Sequence, residues 1–354
     1  MLKIEDIDKN LKVEKTIGRN DVVFYDVKTD GFSLFGLPAT DEKLFRRMPE
    51  SVAKTVNEGV WHMHSNTSGG RVIFETDSPF VVVRAYLPSV CRFPHMPLTG
   101  TTGFDIFADE GDGFFYADSF TPPVDTEDGF ESIVDLHGGA KKRKIMINFP
   151  LYNDVSHLFV GLKEGAEHKP CNPYKKLPPI YYYGSSITQG GCASRPGNNY
   201  PAVISRKNNI DFVCLGFSGN ALGEREMAEY IANREMSVFV MDLDHNFHDV
   251  KMIKERHYSF YKIVREKNPA LPIVMVTAPA PKCAYCIFEE RRSVIFENYK
   301  RAKSEGDENV YFVDGIRMMD GEFCDMTTVD GCHPNDFGFY CMARGIGEVI
   351  YKII

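Results

Sequence analysis

The sequence predicts two domains of different fold class: an all-β sandwich or jelly roll, followed by an α/β domain with a parallel five-stranded sheet. The first half contains many short apolar segments separated by Gly, Pro and Asp, which is typical of antiparallel strands. The second half alternates apolar, strand-like segments with longer helical ones, which favours a parallel sheet covered by helices on both faces. A chain of 354 residues also exceeds the usual length of one domain.

A charged, proline-rich segment separates the two halves. Residues 163–179 contain three separate proline positions, which remove backbone hydrogen-bond donors and stiffen the chain. We therefore predict a boundary near residue 175, with a β-sandwich over residues 1–175 and an α/β domain over residues 176–354.

The composition argues against several classes of partner. The net charge is −8 and no long run of Lys and Arg occurs, so binding to nucleic acid or to an anionic membrane surface is not expected. No segment approaches about 18 consecutive apolar residues, and the N-terminus has no apolar core of signal-peptide length. We therefore expect a cytoplasmic protein without a membrane partner; the sequence leaves its oligomeric state open.

The nine cysteines follow no regular spacing, which favours reduced thiols over a disulfide framework. Cys283 and Cys286 form a C-x-x-C pair, but no second pair accompanies it. A lone pair is a weak signal for zinc or redox chemistry, so we do not predict a metal site there.

The first half shows little helical periodicity apart from a predicted helix over residues 41–47. Trp61 lies with His62 and His64 at a predicted strand end, where it could stack on a sugar ring or pack between domains. The predicted strands cover residues 71–87 (two strands and a turn), 103–107, 113–116, 144–151 and 157–162.

The second half gives a regular alternation of elements. An apolar, aromatic strand starts at Ile180 and stops at Gly184, and a helix starts near Tyr200 with Pro201 in its first turn. Strands are then predicted at 211–216, 237–242, 272–278 and 309–313, and helices at 223–235, 249–268, 288–304 and from Pro334 towards Ile354.

Polar groups follow the strands of this predicted sheet. Ser186 follows the first strand, Gly219 the second and Asn246 the third, while Asp330 and His333 stand just before the last helix. The carboxyl ends of parallel strands meet at one edge of the sheet, where ligands bind. The sequence therefore predicts that these five residues form one site.

In this order, the blocks resemble those of SGNH (GDSL-type) hydrolases, over roughly residues 178–354. The segment Gly103–Phe107 is also similar to the G-x-D-L-Y signature of a β-domain that precedes the hydrolase in one bacterial subgroup. The resemblance implies a flavodoxin-like catalytic domain and a serine esterase without a cofactor. The implied substrates are short acyl esters of carbohydrates or small molecules, acetyl esters first.

Two blocks depart from the family pattern. The usual Gly-Asp-Ser reads Gly-Ser-Ser at residues 184–186, so the acid that normally braces this turn is missing. The usual Gly-x-Asn-Asp reads Asp-His-Asn-Phe at residues 244–247. The five chemical groups are retained, but the departures affect the residues that hold both loops.

The chemistry assigns a role to each of the five residues. A serine hydroxyl needs a base, and the imidazole of His333 can take the proton of Ser186 near neutral pH. Asp330 would hold the other imidazole nitrogen and stabilise the cation that forms. The backbone N–H groups of Ser186 and Gly219 and the Asn246 amide would donate hydrogen bonds to the oxyanion.

Several alternatives remain open at this point. Asn246 could have the structural role of capping its loop, and Asp330 that of forming an Asx turn, without taking part in catalysis. An acyltransferase would use the same catalytic residues, and a decayed, carbohydrate-binding protein would have lost their activity. A metallohydrolase is a further alternative, because a His-x-x-His pair and nearby carboxylates could bind zinc; its residues would be Asp242, Asp244, His245 and His248.

Overall fold

The computed structural model of the chain describes residue 7, residues 12–280 and residues 285–354, with no account of the side chains of residues 285–287. The first half forms two antiparallel sheets and the second half one parallel sheet with helices, which confirms the predicted fold class. Cys283 and the side chain of Cys286, the C-x-x-C pair, lie outside the described residues.

In the described part of the first half, ten strands pack as a sandwich. The smaller sheet has the order β1-β9-β4-β7, and the larger has the order β10-β3-β8-β5-β6 with β2 paired to β3. Apolar side chains of both sheets fill the space between them, among them Val81 and Phe104. The strands are β1 Val22–Asp26, β2 Ser33–Phe35, β3 Arg71–Thr76, β4 Phe80–Tyr86, β5 Phe104–Asp109, β6 Phe114–Phe120, β7 Gly129–Asp135, β8 Arg143–Asn148, β9 His157–Lys163 and β10 His168–Pro170.

The helices of the first half differ from the prediction. The predicted helix at residues 41–47 is wrong, because the Asp41 carboxylate accepts the N–H groups of Lys43 and Leu44 and thereby fixes a turn. Trp61 does not end a strand, since it lies in a helix, and it stacks on His62. The helices here are α1 Glu50–Val56, α2 Glu58–Met63 and α3 Leu98–Thr101.

The second half follows the predicted alternation closely. None of the helices in the described part of the chain is long and apolar enough to cross a membrane. The strands are β11 Ile180–Gly184, β12 Phe212–Gly216, β13 Val238–Asp242, β14 Ile273–Val276 and β15 Val310–Val313; the helices are α4 Ser186–Gln189, α5 Tyr200–Asn208, α6 Arg225–Ala232, α7 Val250–Lys267, α8 Tyr285–Ser304, α9 Gly315–Met318 and α10 Asp336–Ile353.

The parallel sheet has the order β12-β11-β13-β14-β15, so β11 lies between its two neighbours. Tyr181 and Tyr183 pack into the apolar layer on one face, while Ile180 and Tyr182 pack into the layer on the other. This alternation follows the two-residue period of a strand buried on both faces. Gly184 is in register with Gly216 and with Asp242, so the three strand ends are level.

Buried charged groups join the sandwich to the α/β domain. The Asp105 side chain is completely buried, and its Oδ2 accepts from Arg195 Nη1 at 2.9 Å and from the Gly197 N–H at 2.8 Å. Its Oδ1 accepts from Asn148 Nδ2 at 2.7 Å. Burial raises the pKa of Asp105, and the Arg195 guanidinium and these donors oppose that shift. Oδ2 is therefore satisfied by the α/β domain and Oδ1 by the sandwich itself.

A second buried carboxylate lies at the end of β13. Asp242 Oδ2 accepts from Thr188 Oγ1 at 2.9 Å and from the Tyr200 hydroxyl at 3.0 Å. Burial raises its pKa to about 6, although the two hydroxyl donors oppose the shift. The carboxylate ties α4 and α5 to the sheet with neutral partners.

The buried Asp105 carboxylate gives a prediction about stability. Asp105→Asn should lower the free energy of unfolding by about 3 kcal/mol or more, because an amide NH₂ would face another donor and Arg195 would lose its counter-charge. Urea unfolding followed by circular dichroism measures this. Asp118→Asn, an exposed change on β6, is the matched control. Equal unfolding midpoints for the two variants would contradict the assignment.

Asp242 gives a prediction about the pH dependence of stability. Its folded pKa lies above that of an unfolded aspartate, so its stabilising proton is present at low pH and is lost as the pH rises through about 6. Asp242→Asn keeps an oxygen for both hydroxyls and has no charge to bury. The free energy of unfolding of the variant, relative to that of the parent protein, should therefore rise by about 1 kcal/mol between about pH 5 and pH 7. Parallel pH profiles in urea unfolding would refute this.

Candidate active site

The turn after β11 carries Ser186. β11 ends at Gly184, and Ser185 caps the short helix α4 by accepting the Ile187 N–H at 3.1 Å. Ser186 is the first residue of this helix, so the helix begins at the serine and not a few residues after it.

Two glycines allow α4 to lie directly on the strand ends. A Cβ at Gly184 would be 2.2 Å from Thr188 Oγ1, and one at Gly216 would be 2.2 Å from the Gln189 backbone nitrogen. Neither position has room for a side chain. The close contact of helix and sheet fixes the direction in which Ser186 leaves the turn.

The structure brings Ser186, His333 and Asp330 together. Ser186 Oγ lies 2.9 Å from His333 Nε2, and His333 Nδ1 lies 2.8 Å from Asp330 Oδ2. A carboxylate can only accept at Nδ1, so that nitrogen carries the proton and Nε2 can accept the serine hydrogen. The arrangement is that of a nucleophile, a base and a group that orients the base.

The hydrogen bonds made to the Asp330 carboxylate favour its ionised form. Burial would raise the pKa of its carboxyl, but bonds from the backbone N–H groups of His333 and Cys332 and from the imidazole outweigh this and lower it to about 2. The same bonds hold residues 330–333 as a tight turn.

The turn is also connected to the loop after α4. Asp336, at the start of α10, accepts from the Ser194 N–H at 2.8 Å and from Asn198 Nδ2 at 2.8 Å. Asn335 caps α10 by accepting from two backbone N–H groups, which is why this helix starts two residues after the predicted Pro334. The segments that carry Ser186 and His333 are thus held relative to each other.

The three predicted oxyanion donors lie at adjacent strand ends. Gly219 follows β12 and has φ of +69°, a left-handed conformation that favours glycine. The N–H groups of Ser186 and Gly219 donate to no backbone or side-chain acceptor elsewhere in the described chain. Asn246 lies in a 3-10 turn after β13, and its Nδ2 donates to the Phe217 carbonyl at 2.9 Å. This bond uses one hydrogen of the amide and leaves the second free.

Three of the four residues of the metallohydrolase alternative are engaged elsewhere. Asp242 binds the two hydroxyls described above, while Asp244 accepts from Arg291 Nε and from the Ala278 N–H, each at 2.8 Å. His245 is half-buried, and desolvation of its imidazole lowers the pKa to about 4; its Nε2 lies 3.4 Å from the Pro279 carbonyl. Within residues 12–280 and 285–354, these groups form no cluster with metal-ligand spacing.

Sequence reasoning missed two contributions of the first half. The ring of His95, in the loop between β4 and α3, lies 5.5 Å from that of His333. Gln189 Nε2, at the end of α4, donates to Asn66 Oδ1 and to the Leu151 carbonyl, each at 3.1 Å. Isolated polar residues in loops carry no periodic signal, so only the folded chain reveals these contacts.

Family comparisons divide the chain in the same way as its sheets. A model of the GDSL-like lipase/acylhydrolase family matches residues 177–351. A model of the GxDLY domain, the N-terminus of Esterase_SGNH_hydro-type proteins, matches residues 22–168. No curated protein matches the chain.

Solved structures resemble the whole chain. A protein from Bacteroides ovatus named as a GDSL-like lipase is 27% identical, with a TM-score of 0.85 over 94% of this chain and 98% of that one. The salicylyl-acyltransferase SsfX3 from a tetracycline biosynthetic pathway has 19% identity and a TM-score of 0.76, with the same coverage. An acetyl xylan esterase from Butyrivibrio proteoclasticus has 13% identity and a TM-score of 0.56, again with the same coverage.

The two family models together span both halves of the chain, and the lipase-like protein from Bacteroides ovatus matches over nearly its full length. The chain therefore belongs to the GDSL-like lipase/acylhydrolase family, as an SGNH-type esterase with an N-terminal GxDLY domain.

Proposed function

We propose that this esterase removes short acyl groups, acetyl groups first, from carbohydrate or small-molecule esters through an acyl-enzyme on Ser186. The observation that carries the proposal is the chain of contacts from Ser186 Oγ through His333 to Asp330, with distances of 2.9 and 2.8 Å. Both lie within the range in which a base activates a nucleophile.

The first half-reaction forms the acyl-enzyme. The Ser186 oxygen attacks the ester carbonyl while His333 Nε2 takes its proton, and Asp330 stabilises the imidazolium. The tetrahedral oxyanion then collapses, the bond to the alcohol oxygen breaks, and His333 gives the proton to the departing alcohol. In the second half-reaction water repeats these steps on the acyl group, which leaves as a carboxylic acid and frees Ser186.

The oxyanion is stabilised by three donors. We assign this role to the N–H groups of Ser186 and Gly219 and to the free hydrogen of the Asn246 amide. The bond from Asn246 to the Phe217 carbonyl orients the amide before substrate arrives, so little reorganisation accompanies charge development.

Carbohydrate acetyl esters are supported as substrates by the fold. Family two carbohydrate esterases and an acetyl xylan esterase share the two-domain architecture, although their identity with this chain is low. We infer that residues 1–175 shape the rim of the site, because His95 of this half lies beside His333. The alcohol part of the substrate would then contact both domains.

Acyl transfer to an alcohol other than water is the second candidate. It is favoured by the fold shared with a salicylyl-acyltransferase over 94% of the chain. The same acyl-enzyme would form, and only the acceptor would differ. Mass spectrometry of products formed with added sugar alcohols separates the two: a new ester in excess of free acid identifies a transferase.

Ser186→Ala should lower kcat for p-nitrophenyl acetate by at least about 1,000-fold, because the nucleophile is gone. Ser185→Ala is the matched control: its hydroxyl caps α4, and its loss should cost less than about tenfold. Stopped-flow or steady-state absorbance measures both. Comparable losses in the two variants would contradict the assignment of the nucleophile.

Asn246→Ala should lower kcat by about 100- to 1,000-fold and change KM little, because its amide acts on the charge that develops in the transition state. Asn233→Ala, an asparagine that ends α6 on the surface, serves as the control. A change confined to KM would show that Asn246 binds the ground state and is not an oxyanion donor.

A further inference from the structure

We propose that His95, Cys192 and His333 form a binding site for a soft divalent cation such as Zn²⁺, and that the bound cation switches off the esterase by taking His333 from Ser186. One ligand atom from each of the three residues lies within 4.8 Å of the others. Among the described residues, this is the one group of three or more His, Cys, Asp and Glu side chains with metal-ligand spacing.

The three ligands come from separate parts of the fold. His95 belongs to the loop between β4 and α3 of the sandwich, Cys192 to the loop after α4, and His333 to the turn before α10. A cation held by all three would join the two domains directly over the reactive serine.

The ligand atoms of two of these residues are not engaged in hydrogen bonds in the described part of the chain. Neither the imidazole of His95 nor the thiol of Cys192 makes a hydrogen bond within residues 12–280 and 285–354. Cys192 also has φ of +71°, a left-handed conformation that costs free energy in a residue other than glycine. The fold thus holds the backbone of Cys192 in an unfavourable conformation beside the site. The residue is only 5% exposed.

The ligand set selects the kind of cation. Sulfur and two imidazole nitrogens suit Zn²⁺, whereas Mg²⁺ and Ca²⁺ prefer oxygen. Three protein ligands leave the fourth tetrahedral position to water. Zinc bonds of about 2.0 to 2.3 Å place ligand atoms closer together than 4.8 Å, which is compatible with the spacing of these three atoms.

His333 cannot serve the cation and the serine at once. Its Nδ1 is held by Asp330, so only Nε2 is available, and this is the atom that lies 2.9 Å from Ser186 Oγ. The contact with Asp330 also suits metal binding, because a carboxylate on the far nitrogen commonly orients zinc-bound histidines. On binding, the Cys192 thiol releases its proton to solvent, and the nitrogen lone pairs of both neutral imidazoles bind the cation.

Isothermal titration calorimetry with zinc chloride tests the site. The starting protein carries Cys283→Ser and Cys286→Ser, so that the C-x-x-C pair cannot contribute. We expect one zinc ion per chain, and an affinity at least about tenfold lower after either His95→Ala or Cys192→Ser. Cys332→Ser, which removes the thiol 3.9 Å from His245, and His62→Ala, on the surface of α2, are matched controls.

Cobalt gives a second readout that does not depend on activity. Co²⁺ added to the same background should produce a thiolate charge-transfer band, which Cys192→Ser removes and Cys332→Ser leaves. Zinc affinities for His95→Ala and Cys192→Ser within twofold of the background would overturn the site. A cobalt band that persists in Cys192→Ser would overturn it as well.

The inhibitory effect rests on the proposed esterase function, whereas the binding does not. Zinc should inhibit hydrolysis of p-nitrophenyl acetate in the background protein, EDTA should restore the rate, and His95→Ala should need at least about tenfold more zinc for half inhibition. Tight binding in calorimetry with full activity would refute the switch. Absence of hydrolysis without zinc would instead refute the proposed function and leave the calorimetric result standing.

Discussion

The contact of helix α4 with the level ends of β11 and β12 is the constraint on which the site depends. Gly184 and Gly216 leave no room for a Cβ, so the helix lies directly on the sheet and the chain turns sharply between Gly184 and Ser186. Because β11 is flanked by β12 and β13, the groups that follow those strands are brought beside the serine. Residues that are distant in the sequence are thus neighbours at this edge of the parallel sheet.

The sandwich is part of the support for this helix. Ser68 Oγ donates to the Gln189 carbonyl at 2.6 Å, and Arg47, completely buried, donates to the Gly216 carbonyl at 2.7 Å. Replacing either donor by an apolar residue would leave a buried carbonyl without this partner, at a cost of about 1 to 3 kcal/mol each. Both contacts lie at the ends of α4 and β12, so the first half holds the residues that direct Ser186.

Local signals predicted most of the α/β domain, and non-local contacts explain what they missed. An apolar strand followed by a polar residue is a short local pattern in the sequence. The ends of β11, β12 and β13 and the polar groups after them could therefore be predicted. The helix predicted at Asp41 does not form, because its carboxylate accepts a backbone N–H and fixes a turn there. The contacts of His95 and Asp105 could not be found, because His95 meets His333 238 residues further along the chain and Asp105 meets Arg195 90 residues further along, in the other domain.

The departures from the family motif are explained by how the two turns are held. Ser185 caps α4 as an aspartate would, and a neutral cap avoids a second carboxylate next to Gly184, which is in register with the buried Asp242. In the third block, Asp244 replaces the usual glycine, and its carboxylate bonds Arg291 and the Ala278 N–H at 2.8 Å. That ion pair fixes the 3-10 turn of Asn246. Each departure therefore exchanges one means of holding a loop for another.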